Sequence, residues 1–260
     1  AQVIEQSKFE SAHIFARMSD TEEPRSSLVH ALRDIKDWTG PVQVTRLEAQ
    51  CCEAHGVPVH QSRPCFWLEN VLSPAECRAL ELATLEHHDI PLDLEDVATA
   101  PGCRSQFVAH DPDMSRLLWE RIRHTVPHSL DEGEAVGLME HIAHARYFNG
   151  QVGFPHMDFR HASRADPCVT SRISFTVYLN NDYKGGELSF LRKLHDDGHH
   201  DGIHQTIKPQ LGSAVLFYQG VPEFAHLPHE ITEGCKSIMR ADVLYRFNDS
   251  DTADVGCRRV

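Results

Sequence analysis

The amino-acid sequence predicts a mostly β chain with flanking helices, an α+β fold whose core is an antiparallel sandwich or barrel. Two helix patterns come first, and after Val136 short segments rich in β-branched and aromatic residues alternate with Gly, Asn and Asp turns. Such spacing favours antiparallel strands over alternating βα units. The predicted strands are HARYF, SRISFTVYL, GELSFL, SAVLFY and SIMRADVLYRF.

The helices are predicted from their start signals. Ser73, Pro74 and Glu76 combine an N-cap, a proline at the first helical position and an acid in the first turn. A second helix is predicted from residue 112 to about residue 124, where apolar residues recur at helical spacing. A short amphipathic helix is predicted over residues 26–38.

The length of 260 residues suits one large domain preceded by an extension. Residues 1–62 mix charged and small residues without strand periodicity, so we expect an N-terminal extension of unknown role. The main domain is expected over residues 63–260 and opens on a short strand at residues 65–68. Its β core is expected at about residues 136–248.

The composition argues against several classes of function. The formal net charge is −13, which disfavours phosphate backbones, so we expect no nucleic-acid partner. No stretch approaches the roughly 20 apolar residues of a membrane helix, so we expect no membrane partner. The eight cysteines include no CxxC pair, which favours reduced thiols in a cytoplasmic protein over a disulfide scaffold.

The segment YFNGQVGFPHMD holds the first candidate site. Its His156 and Asp158 are two residues apart, so on a strand both side chains would point to one face and could share a metal ion. The alternative is a histidine at a strand end followed by an aspartate in a turn. The four histidines of residues 195–204 (HDDGHHDGIH) could also bind a metal, but glycine and aspartate favour a solvated surface loop there.

Four motifs in order resemble those of the iron(II)/2-oxoglutarate-dependent dioxygenases, and among them the prolyl-4-hydroxylase-like branch. The motifs are YFNGQVGFPHMD, YLNNDYKGGELSF, KPQLGSAVLF and HLPHEITEGCK. One departure lies in the first motif, where Phe154 is one residue nearer the histidine than the pattern of the branch has it. The resemblance covers about residues 64–248 and is strongest over residues 143–246.

The resemblance implies a double-stranded β-helix core (jelly roll, cupin-like) that carries a metal centre. His156, Asp158 and His226 would bind Fe(II) as a facial triad. His229 is the alternative to His226 as the second histidine ligand. His226 is favoured because it lies ten residues before Lys236, which is the spacing found in the branch. No further acid or base is implied.

The resemblance also implies a site for the co-substrate. Lys236 would bind the far carboxylate of 2-oxoglutarate, since an unpaired buried charge is costly, and the Tyr147 hydroxyl would be a second donor. Arg240, four residues along the same strand face, would bind either 2-oxoglutarate or a substrate carboxylate. If His229 were the metal ligand, Arg240 would be the favoured anchor.

The implied reaction is the hydroxylation of an unactivated C–H bond with release of succinate and CO₂. Fe(II), 2-oxoglutarate and O₂ would take part, with ascorbate as an optional reductant. The substrate would be a small molecule, an amino acid or a peptide with a proline-like ring, recognised by loops at residues 88–110, 159–170 and 192–205. Two other hypotheses remain: a catalytically inactive metal-binding barrel that acts as a scaffold, and a cupin-type enzyme that is not an oxygenase.

Overall fold

The computed structural model of the protein describes residues 27–47, 55–56, 63–85, 105–163 and 165–248. Most of the predicted N-terminal extension lies outside these residues. So does the first part, residues 88–104, of the substrate loop predicted over residues 88–110. The helices of the described residues are η1 (Leu28–Leu32), α1 (Pro74–Thr84), α2 (Pro112–Ile122) and η2 (Pro222–Phe224), of which η1 and η2 are 3-10 helices. The strands are β1 (Gln43–Arg46), β2 (Cys65–Glu69), β3 (Ser105–His110), β4 (Ser129–Leu130), β5 (Gly133–Leu138), β6 (His141–Phe148), β7 (Val169–Tyr178), β8 (Lys184–Gly185), β9 (Leu188–Leu191), β10 (Ile203–Ile207), β11 (Ala214–Tyr218), β12 (His226–Pro228), β13 (Ile231–Glu233) and β14 (Cys235–Arg246).

Nine of these strands form a large antiparallel sheet. Its main path runs β1-β2-β11-β7-β14-β5-β4, while β6 pairs with β14 and β3 pairs with β6. The long strand β14 is the axis of this sheet: one of its edges pairs with β7, and the other pairs first with β6 and then with β5. Because side chains alternate along a strand, every second residue of β14 faces the interior of the fold.

A smaller sheet, β10-β9-β12, covers part of the large one. Trp67 and Phe217 of the large sheet and Phe190 of the small sheet belong to one buried cluster. The rings of Phe190 and Phe217 meet edge to face, with their centroids 5.5 Å apart. This arrangement of two antiparallel sheets around a buried interior is the double-stranded β-helix that the motifs predict.

The helices pack on the outer face of the large sheet. Leu28 of η1, Leu80 of α1 and Leu118 of α2 share a buried cluster with Phe175 of β7 and Val243 of β14. The prediction of a mostly β fold with helices on one side is therefore confirmed. The two α-helices, each of eleven residues, are too short and too polar to cross a lipid bilayer, and none of the other described segments offers such a helix.

Both α-helices begin where the sequence predicts. Ser73 caps α1, its hydroxyl accepts from the Glu76 N–H, and the Glu76 carboxylate accepts from the Ser73 N–H, which is a capping box. Asp111 caps α2 and also accepts a hydrogen bond from the Leu28 N–H, at 2.7 Å. The start of η1 is therefore fixed to the start of α2.

Three segments differ from the sequence-based expectation. The helix expected over residues 26–38 is only the 3-10 helix η1, because Trp38 lies beyond it and donates its indole N–H to the Asn70 carbonyl. Here a tertiary contact overrides helical propensity. The predicted surface loop at residues 195–204 ends two residues early, as β10 begins at Ile203, and β3 was not predicted at all.

Candidate metal centre

His156 and His226 are brought together by the main chain. Residue 156 follows the loop after β6, and residue 226 begins β12. The His156 N–H donates to the His226 carbonyl at 2.9 Å, and the His226 N–H donates to the His156 carbonyl at 2.8 Å. Their rings lie with centroids 4.2 Å apart. The two residues are thus held side by side by a pair of backbone hydrogen bonds.

Each imidazole is oriented by a carbonyl two residues before it. Nδ1 of His156 lies 2.7 Å from the Phe154 oxygen, and Nδ1 of His226 lies 2.9 Å from the Phe224 oxygen. Since a carbonyl can only accept, Nδ1 carries a proton in both rings, which makes Nε2 the atom available to a metal. Burial, with a smaller effect of His156, lowers the pKa of His226 to about 3, so this ring is neutral as a metal ligand must be.

Asp158 completes the group from the buried interior. Its Oδ2 accepts a hydrogen bond of 2.6 Å from the Ser174 hydroxyl of β7. Its Oδ1 is buried and accepts no hydrogen bond, and it lies 3.6 Å from Nε2 of His156 and 2.9 Å from Nη2 of Arg240. Burial acts to raise the pKa of Asp158, but Arg240 and the two imidazoles outweigh it and hold the pKa well below its usual value. The carboxylate is therefore ionised.

The donor set suits a divalent first-row metal. One atom from each of His156, Asp158 and His226 lies within 4.8 Å of the others, and no second group of this kind occurs among the residues that the structure describes. Two imidazoles and one carboxylate match the facial triad of non-haem Fe(II) oxygenases. The convergence of these three donor atoms is the observation that indicates a metal site.

Lys236 is a buried ammonium deeper in the fold. Its Nζ donates to the Gly186 carbonyl at 2.5 Å and lies 5.3 Å from the centre of the Tyr178 ring. No carboxylate of the described residues lies within ion-pair distance of it, and burial lowers its pKa to about 8. A buried cation without a counter-ion fits the carboxylate of a bound ligand.

Tyrosines surround this ammonium. Tyr147 pairs with Lys236 across β6 and β14, and its ring centre lies 6.0 Å from Nζ. The hydroxyl of Tyr183, which belongs to the motif YLNNDYKGGELSF but was given no role from the sequence, is buried without a hydrogen-bond partner. The rings of Tyr147 and Tyr178 both lie within 6.0 Å of the ammonium.

Arg240 and His229, the alternative candidates for the co-substrate anchor and the metal ligand, make other contacts in the structure. Arg240 faces the carboxylate of Asp158, which raises its pKa against the effect of burial. His229 is outside the metal-ligating group, and its Nε2 lies 2.7 Å from the Ser189 hydroxyl.

Sequence reasoning missed a chain of hydrogen bonds behind Asp158. The His161 N–H donates to Ser171 Oγ at 2.8 Å, and Ser171 Oγ donates to Gln219 Oε1 at 2.7 Å. Gln219 Nε2 donates to Ser174 Oγ at 3.0 Å, and Ser174 in turn donates to Asp158. Ser174 and Tyr178 are four residues apart on β7, so their side chains lie on the same face of the strand. The position of Tyr178 in the YLN motif is therefore the one sequence signal that could have indicated a role for Ser174.

Comparison with known proteins identifies the segment that carries these groups. The family model of the 2OG-Fe(II) oxygenase superfamily matches residues 142–242. No curated protein matches the chain.

Three prolyl hydroxylases are among the solved structures that resemble the chain. The viral collagen prolyl hydroxylase of Paramecium Bursaria Chlorella virus-1, in complex with 2-oxoglutarate, has a TM-score of 0.47 and 20% identity, with 69% of this chain and 95% of that chain covered. A Pseudomonas putida prolyl-4-hydroxylase has a TM-score of 0.40 and 16% identity, with 76% and 99% covered. A Trichoplax adhaerens prolyl hydroxylase, in complex with a hypoxia inducible factor peptide fragment, has a TM-score of 0.42 and 15% identity, with 87% and 90% covered.

The resemblance read from the four motifs is thus confirmed. The matched segment contains the triad of histidine, aspartate and histidine as well as the buried lysine. Residues 142–242 are therefore similar to the 2OG-Fe(II) oxygenase superfamily, whose members use Fe(II), 2-oxoglutarate and O₂.

Proposed function

We propose that this oxygenase hydroxylates an unactivated C–H bond of an amino acid, a peptide or another small molecule, with conversion of 2-oxoglutarate to succinate and CO₂. The observation that carries the proposal is the convergence of two imidazoles and one buried carboxylate, whose ligand atoms all lie within 4.8 Å of one another. His156, Asp158 and His226 hold the iron. When bound, the iron with its co-substrate supplies the oxidising chemistry, as it does throughout the superfamily.

Lys236 anchors the far carboxylate of 2-oxoglutarate, with the Tyr147 hydroxyl as a second donor. Its burial without a counter-ion supports this role. Arg240 is the less suitable anchor, because its guanidinium already lies 2.9 Å from Asp158 Oδ1. Its role is to balance the charge of that carboxylate.

The substrates to test first contain a proline-like ring, since the motifs resemble those of prolyl hydroxylases. The cytoplasm is the proposed location, and the four described cysteines are free thiols, in keeping with it. The proposed substrate class and the proposed location do not depend on each other.

Anaerobic addition of Fe(II) and 2-oxoglutarate tests the site directly. We expect a weak visible charge-transfer band in the wild-type protein, its loss in Asp158→Ala, and its weakening in Lys236→Ala. Asp113→Ala is the matched control, because Asp113 lies on the exposed face of α2 in a pair with Arg116. Metal binding without the band would indicate an inactive metal-binding barrel.

A screen for succinate formation tests the reaction. Iron-loaded protein would be incubated with prolyl peptides, free amino acids and small metabolites. We expect succinate above the background of uncoupled turnover with at least one of these substrate classes. Activity that survives in Lys236→Ala and needs no 2-oxoglutarate would contradict the proposal and favour a cupin-type enzyme.

A further inference from the structure

Three arginines gather at one point just beyond the metal ligands. They come from the chain before β2 (Arg63), from the loop after Asp158 (Arg160) and from β7 (Arg172). Arg63 and Arg160 both stack on the Tyr218 ring, with Cζ at 4.5 Å and 5.1 Å from its centre. Arg160 also donates a hydrogen bond of 2.7 Å to the Tyr218 hydroxyl.

A single carboxylate faces these three cations. Arg63 lies 3.9 Å and Arg172 lies 3.6 Å from the carboxylate of Asp131, which also accepts from the Tyr218 hydroxyl. In the described part of the chain, no second carboxylate lies within ion-pair distance of any of the three. The cluster therefore has an excess of two positive charges in a chain whose net charge is −13.

Arg172 shows that this excess is not satisfied internally. Its side chain is 3% exposed, and its Nε is buried without a hydrogen bond. Its one hydrogen bond runs from Nη1 to the Ser171 carbonyl at 3.1 Å. Burial, together with the repulsion of Arg160, lowers its pKa. Its Cζ lies 4.2 Å from the centre of the Phe247 ring, and its Nε remains a donor that an oxyanion could use.

The cluster is also close to the metal centre along the chain. Arg160 follows Asp158 by two residues. The N–H of Gly220, two residues after Tyr218, donates to the Asp158 carbonyl at 3.0 Å. Arg160 and Arg63 are accessible from solvent, so an anion can enter without rearrangement of the core.

We propose that Arg63, Arg160 and Arg172 form an anion-binding site that takes a carboxylate or phosphate group. The ligand would be an acidic group of the substrate, and this identification rests on the proposed function. The ability of the site to bind an anion does not depend on the proposed function.

Equilibrium dialysis tests the site without turnover. The probes are inorganic phosphate and, separately, hexaglutamate, at 0.15 M NaCl. We expect the double variant Arg63→Gln/Arg160→Gln to weaken binding at least about tenfold, the effect of losing charge-assisted hydrogen bonds. Arg116→Gln is the control, since that arginine is exposed on α2 and paired with Asp113.

A second variant should change the affinity in the opposite direction. Asp131 has a φ of 51°, a conformation that asparagine tolerates, so Asp131→Asn keeps the turn and removes the internal competitor. We expect Asp131→Asn to bind the probe several-fold more tightly than the wild type.

The outcomes distinguish the occupants. Binding of phosphate alone supports a phosphate-bearing ligand, and binding of hexaglutamate alone supports an acidic peptide. Absence of binding of both probes in the folded wild-type protein, or equal affinity in the double variant, would overturn the proposal. A wild-type protein that binds anions but never forms succinate would retain this site and refute the proposed function alone.

Discussion

At the scale of single residues, each of the three candidate metal ligands has one side-chain atom directed to the metal site and another that makes an orienting hydrogen bond. Asp158 uses one oxygen for Ser174 and leaves the other facing the imidazoles. His156 and His226 likewise use Nδ1 for a carbonyl and leave Nε2 open. Hydrogen-bonded partners of metal ligands typically contribute 10- to 100-fold to metal affinity.

Replacement of Ser174 by alanine should weaken metal binding about tenfold, because Oδ2 of Asp158 loses its donor and the carboxylate is no longer fixed. The measurement is the dissociation constant of Mn(II), read from the electron paramagnetic resonance signal of the free ion. Ser189→Ala is a matched control, since Ser189 is also fully buried but bonds to Thr206 and His229. Equal Mn(II) affinity in the wild type and Ser174→Ala would contradict the assigned role.

The affinity for 2-oxoglutarate should depend on pH through Lys236. Burial lowers the pKa of this lysine from 10.5 to about 8, and an anionic ligand binds only the protonated form. Below pH 8 the affinity should be level, and above it the dissociation constant should rise up to tenfold per pH unit because binding must take up a proton. Calorimetric titration of the Mn(II)-loaded protein between pH 6.5 and 9.5 measures this.

Lys236→Arg is the control for that pH dependence. A guanidinium stays charged over the whole range, so its affinity for 2-oxoglutarate should show no decline above pH 8. A wild-type dissociation constant that is constant up to pH 9.5 would exclude Lys236 as the anchor.

At the scale of elements, α1 and α2 are joined by a buried ion pair. Arg121 donates from Nη2 to Glu76 Oε1 at 2.7 Å and from Nη1 to Oε2 at 2.8 Å, and Nη1 also donates to the Val71 carbonyl. The same carboxylate accepts from the Ser73 N–H in the capping box. The pair thus connects both helices to the turn after β2.

Arg121→Leu should lower the free energy of unfolding by about 3–5 kcal/mol, because it leaves the Glu76 carboxylate buried without its counter-ion. Urea denaturation measures the change. Arg116→Leu, which breaks the exposed pair with Asp113, should cost at most about 1 kcal/mol. A similar decrease in the free energy of unfolding in both variants would show that the buried pair contributes no more to stability than the exposed pair.

The elements also show what sequence could and could not predict. Strands β6, β7, β9, β11 and β14 were predicted because their β-branched and aromatic residues stand between clear turn signals. Their register was not predictable: that Ser174 pairs with Asp242, and so lies beside the carboxylate of Asp158, depends on the alignment of β7 with β14. The ion pair of Arg240 with Asp158 was hidden for the same reason, since it joins a strand to a distant loop.

At the scale of the whole molecule, metal and co-substrate should stabilise the fold. A ligand that binds only the folded protein at one hundred times its dissociation constant contributes about 2.7 kcal/mol. We expect Mn(II) with 2-oxoglutarate to raise the melting temperature of the wild type, as measured by differential scanning calorimetry. Asp158→Ala should show no such rise, and a rise of equal size in that variant would place the metal elsewhere.

The paired main-chain hydrogen bonds between His156 and His226 have a last consequence. Because folding itself brings two of the three ligand residues together, metal binding requires little further ordering of the chain. Such a preformed site should bind manganese, iron, cobalt and nickel with affinities that rise in that order. Which ion the enzyme carries in a cell is then decided by supply, and recombinant protein will need reloading before its turnover is measured.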